Sequence, residues 1–66
     1  MSQAMGDLWG EALAKEVIGE VHGQMRDFTR ALKYLNEALV MAQELGDKAF
    51  EAECLKFIEL FKRERA

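Results

Sequence analysis

The 66-residue sequence has no proline, one cysteine (Cys54), one histidine (His22) and no surplus of basic side chains. Each shortage excludes something. A single cysteine allows neither a disulfide framework nor a four-thiolate zinc site, the usual supports of a small fold. A single histidine leaves little from which to assemble a hydrolase. His22 and Cys54 would need a third orienting group and an oxyanion site, and neither residue sits in a motif that supplies them. Phosphate-cradling glycine loops, His-Glu-x-x-His zinc motifs and nucleophile elbows are missing as well. With 12 acidic against 9 basic side chains the formal charge is −3 and Lys/Arg blocks are absent, which argues against nucleic acid and anionic membrane as partners. No apolar run approaches the roughly 18 residues of a membrane span, and residues 1–5 lack the basic-then-apolar pattern of a leader. The expectation is a cytoplasmic protein that is not an enzyme and holds no cofactor or metal.

What the sequence does contain is a globular mix, half apolar and 32% charged. A chain this short buries only about 60% of its unfolded surface, so its stability alone is marginal and self-association or a larger parent protein is expected. Helix formers dominate and β-branched residues are few, so the whole chain reads as helix. Punctuation comes from Gly6-Asp7, Arg26-Asp27 and Gly46-Asp47, where an Asp can cap the following helix and a preceding glycine can take the left-handed conformation that ends one. Three helices are predicted, over 8–24, 28–45 and 48–64, with residues 1–5 disordered and 6–66 forming one domain. Sliding the sequence on itself by forty positions lays Gly6-Asp7 on Gly46-Asp47, Glu11-Ala12 on Glu51-Ala52 and Ile18 on Ile58, and pairs Val17 with Phe57 and Val21 with Phe61. The first and third helices are therefore versions of one element, and the second is the antiparallel partner between them.

Within the first unit, Ile18-Gly19 is followed by His22, Asp27-Phe28, Ala31, Leu35 and Ala38-Leu39. This arrangement resembles the tetratricopeptide repeat (TPR), with Gly19, Ala31 and Ala38 at its small positions, Phe28 at the turn aromatic and Leu35 at the bulky one. Antiparallel helices approach closely only where side chains are small, and bulky neighbours fill the adjacent gap. Forty residues exceed the common period of about 34. The extra length, Met41 to Asp47, resembles the long-repeat branch found in spindle-orientation adaptors. Departures from the pattern are His22 at an aromatic position, Arg26 at a turn glycine, and Glu59 at a helix-3 glycine, which makes helix 3 read as a closing helix. The resemblance implies an all-α, right-handed helix-hairpin stack of one repeat plus a closing helix, of the alpha-alpha superhelix type. It also implies protein or peptide binding in a groove lined by Leu13, Glu16, Val17, Glu20 and Gln24 of helix 1 and Lys56, Leu60 and Arg63 of helix 3. Chaperone-binding members carry basic and amide residues where this chain has Glu16 and Glu20, so a carboxylate-ended peptide is not the expected ligand.

Several residues admit two readings. Glu16 and Glu20, four apart, form either an acidic strip for a basic ligand or ordinary solvated groups, with Lys56 pairing to Glu16 across the stack. Gly19 and Gly23 each cost about 1 kcal/mol in a helix relative to alanine, so close packing should offset them; Gly23 alternatively loosens the helix end. Trp9 either packs across the seam of helices 1 and 3 near Ala49 and Ala52 or anchors a partner. His22 and Cys54 read as structural fillers. The pairs Glu11 with Lys15, Lys33 with Glu37 and Glu59 with Arg63 read as solvated helix faces. Phe50, Cys54, Phe57 and Phe61 form an apolar stripe wider than one hairpin can cover, with Leu60 at its edge. Phe50, Phe57, Leu60 and Phe61 are therefore the self-association candidates, in a homodimer formed by packing helix 3 on its symmetry mate or by exchanging helices through Gly46-Asp47. A purely structural, homo-oligomerising repeat fragment, natural or engineered, is the alternative that the sequence leaves open.

Overall fold

A computed structural model describes residues 3–65 as three helices joined by two tight turns: α1 (Gln3–Gln24), α2 (Phe28–Leu45) and α3 (Lys48–Arg65). The fold is all-α, a three-helix stack, as the composition requires. Both turns solve the same problem in the same way. Arg26 and Gly46 adopt left-handed backbone, at φ 65° and 71°. This lets the next amide reach back over the helix end, Asp27 N–H donating to the His22 carbonyl at 2.8 Å and Asp47 N–H to the Ala42 carbonyl at 3.1 Å. Each Asp then caps the following helix: the Asp27 carboxylate accepts from Arg30 N–H at 3.4 Å, and that of Asp47 from Phe50 N–H at 3.1 Å.

The start of α1 differs from expectation. The helix begins at Gln3, so Gly6-Asp7 lies inside it rather than at its boundary, and residues 3–5 are helical rather than disordered. Gln3-Ala4-Met5 are good helix formers, and the helix runs through the Gly-Asp pair instead of ending at it as α2 ends at Gly46. Met1 and Ser2 lie outside the described residues.

Helix α2 is the amphipathic centre, burying Ala31, Leu32, Leu35, Ala38 and Ala42. Its two ends feed two apolar clusters. Ala12, Ala38, Ala42, Phe50 and Cys54 form one, with Leu39, Met41 and Leu45 against it. Ala31, Leu32, Leu35, Ile58 and Phe61 form the other, with Phe28, Leu39 and Phe57 against it. The small residues sit where helices touch: a methyl placed on Gly19 would come within 2.8 Å of Leu35 Cγ and 3.1 Å of the Ala31 carbonyl oxygen.

Helices α1 and α3 run side by side in the same direction. At their starts the Trp9 and Phe50 rings lie 6.2 Å apart and Trp9 Nε1–H donates to Asp47 Oδ2 at 3.4 Å. At their ends, a methyl on Gly23 would overlap the Phe61 ring. The forty-position similarity is thus a spatial relation. Principal extents of 44 × 18 × 12 Å make the molecule a thin slab, so every helix keeps a broad solvent face.

Candidate interaction face on helices α1 and α3

The expected groove residues come from two helices that the fold makes neighbours. On α1, spacings of four place Leu13, Val17 and Val21 along one strip, with Glu20 and Gln24 beside it. Val17 is 48% exposed and Leu13 37%. On α3, Glu53, Lys56, Leu60 and Arg63 recur at intervals of three and four, and all four are exposed. Glu53 was not among the expected groove residues. The signal was present in that spacing, which puts Glu53 on the strip that also carries Lys56, Leu60 and Arg63.

Glu16 lies between these strips and departs from the expected ion-pair arrangement. It is buried, at 6% exposure, and its Oε2 has no hydrogen-bond partner. The expected pairing with Lys56 is not made. Among the described residues no Lys, Arg or His nitrogen lies within 4.0 Å of Glu16, Glu20 or Glu53. Burial, then the charge of Glu53, then that of Glu20, holds the Glu16 carboxyl above its usual range. The i,i+4 spacing shows that Glu16 and Glu20 share a face, but not that α3 would cover the first and leave the second half-buried.

The self-association candidates divide. Phe50 and Phe61 are buried in the chain's own core, because α3 folds back on its own α1 and α2. Phe57 is half-buried and stacks on Phe61 with centroids 6.0 Å apart, and Leu60 is exposed. The solvent-facing apolar edge is therefore Phe57–Leu60.

The flanking residues are drawn into intramolecular contacts. Lys15 does not pair with Glu11 but donates to Glu37 of α2 at 2.8 Å. That bond raises the Lys15 pKa and lowers that of Glu37. Glu59 and Arg63 do not come within ion-pair distance of each other. His22 stacks on Tyr34, centroids 5.7 Å apart and planes 11° from parallel. Its Nδ1 is 3.9 Å from Asp27 Oδ2, too long for a hydrogen bond, and is buried without a partner. Cys54 is fully buried, and burial, with Glu16 and Glu53 adding to it, pushes its thiol up to about 11. Such a thiol stays protonated at neutral pH and packs as a small apolar group.

The described residues enclose no pocket and contain no group of three His, Cys, Asp or Glu side chains placed to hold a metal ion. No described helix is long and apolar enough to cross a membrane. The chain matches no protein-family model, no curated protein and no solved structure.

Proposed function

We propose that the chain is a protein-interaction module of tetratricopeptide-like design, acting by binding rather than by catalysis in the cytoplasm. Its partner protein or peptide lies on the face between α1 and α3, and a second copy covers that face when no other partner is present. The observation that carries this reading is the buried Glu16 carboxyl, whose Oε2 has no partner, on a pair of helices that also expose Leu13, Val17 and Leu60. A buried polar group without a partner is costly to keep, and exposed apolar surface commonly marks a contact. Packing of α3 against a second copy, rather than exchange of α3, fits a helix already seated on its own α1.

The strength of self-association follows from magnitudes. Leu13, Val17 and Leu60 are each already partly covered, so completing their burial yields about 0.5–1 kcal/mol apiece. Six such side chains in a two-fold pair give roughly 3–6 kcal/mol, near the low end of the roughly 4–15 kcal/mol cost of association. A weak dimer is expected, in which charge complementarity decides the outcome. Sedimentation across a concentration series from low micromolar to near millimolar tests it. The mass should climb toward two chains, and Leu60→Glu should return it to one chain with unchanged helical circular dichroism. A single-chain mass throughout would remove the self-association reading.

A further inference from the structure

Resting on the self-association reading above, we infer that two copies pair with their α3 helices antiparallel, Arg63 of each set against Glu53 of the other. The exposed strip of α3 is asymmetric in charge: Glu53 lies toward its start, Lys56 and Leu60 follow, and Arg63 lies toward its end. Glu16 of α1 lies close enough to Glu53 and to Glu20 for both to act on it, so an acidic cluster adjoins the strip. A two-fold axis across α3 near Ile58 reverses the order of the strip and sets Glu53 opposite Arg63 and Lys56 opposite Leu60. Parallel pairing would set Glu53 on Glu53 and Lys56 on Lys56, which like-charge repulsion disfavours. An isologous interface needs one surface complementary to itself, and this strip carries both signs in the required order. Among the described residues neither Lys56 nor Arg63 is paired with an acidic group: the ion pairs there use Lys15, His22, Arg30 and Lys48 instead. Leu60, exposed within the same strip, supplies apolar surface between these pairs.

The test is a charge exchange read by sedimentation equilibrium. Glu53→Arg and Arg63→Glu alter exposed side chains, so both variants should keep the helical circular dichroism of the parent. Each variant alone should lose about tenfold or more in dimerisation constant, and an equimolar mixture of the two should recover it as a mixed dimer. If both single variants dimerise like the parent, or the mixture does no better than either alone, the antiparallel pairing is wrong while the apolar self-association reading stands. If the parent is monomeric at every concentration, that reading falls and this inference with it. A monomeric parent that binds a leucine–lysine amphipathic peptide, and loses it on Glu53→Arg, would assign the acidic cluster to a foreign basic partner and overturn the pairing.

Discussion

Against α2, helix α1 presents Gly19 to the Leu35 side chain and Ala31 carbonyl, Lys15 to Glu37 and His22 to Tyr34. Against α3 it presents Trp9 to Phe50, Gly23 to Phe61 and, between them, a carboxylate with no partner. The first seam has close backbone approach and its Lys15–Glu37 pair satisfied at the rim, with His22 Nδ1 buried without a partner near its end. The second has aromatic contacts at both ends and an electrostatic fault in its middle. The second leaves a carboxyl oxygen unpartnered between two helices that both keep exposed apolar side chains, and the proposed binding face rests on that seam.

The largest effects should come from breaking the first seam. Leu35 is fully buried, and Leu35→Ala should cost about 3 kcal/mol, enough to unfold much of so small a domain. Gly19→Ala should cost about 2 kcal/mol, because its methyl meets backbone at the Ala31 carbonyl as well as Leu35. In urea titrations followed by circular dichroism the two losses should not add, since the new methyl occupies space that Leu35 vacates. At the second seam, Gly23→Ala overlaps the ring of Phe61, which is buried between Phe28 and Phe57. A loss of about 2 kcal/mol is expected, with proton NMR reporting Phe61 shifted and α3 loosened at its end.

Glu16→Gln should do the opposite and stabilise the dilute monomer by about 1 kcal/mol at neutral pH, by removing an unpaired buried charge. The sign with pH follows from the raised pKa. A carboxyl whose folded pKa lies above its ordinary value near 4.5 binds its proton more tightly in the folded state. The stability this contributes is complete below that ordinary value and is lost as pH rises through the raised folded value. Urea midpoints of the parent and Glu16→Gln should therefore converge as the pH is lowered toward 4.5 and separate toward neutrality. Parallel midpoints across that range would show that Glu16 is not held unpaired in the seam.

The smallest effect sharpens the entry to the first seam. Arg26 occupies the left-handed position that Gly46 fills in the other turn. Arg26→Gly should raise stability by about 0.5 kcal/mol, the relief of backbone strain being offset in part by greater freedom of the unfolded chain. Losing the Arg26 guanidinium from above the Phe28 ring, 5.7 Å from its centroid, offsets a little more. A thermal melt showing Arg26→Gly less stable than the parent would mean that this contact outweighs the strain.

Local chemistry made much of the fold legible. Asp27 and Gly46-Asp47 marked the ends of α2 and the start of α3, because cap and left-handed residue act within one turn of chain. The forty-position similarity placed α1 beside α3. Gly6-Asp7 misled because the dipeptide permits a boundary without requiring one, and α1 continues through it from Gln3. The site was harder to read. Glu16 and Lys15 are neighbours in sequence with similar polarity, yet Lys15 reaches Glu37 while Glu16 is covered by α3 without a cation. Which polar group a third helix covers depends on the angle at which that helix lands, and spacing along α1 carries no record of it. Phe50 and Phe61 illustrate the same point from the apolar side: the stripe was correct, but which of its members the hairpin would cover was not in the stripe.

Whether binding is confined to the face with the electrostatic fault can be read residue by residue in amide and methyl NMR spectra of the isotopically labelled chain over a dilution series. Resonances of Leu13, Val17, Glu20, Lys56, Leu60 and Arg63 should move together with concentration, while those of Ile18 and Val40, exposed elsewhere on α1 and α2, stay fixed. Shifts centred on Ile18 and Val40, or none up to near-millimolar concentration, would contradict the assignment of self-association to α1 and α3.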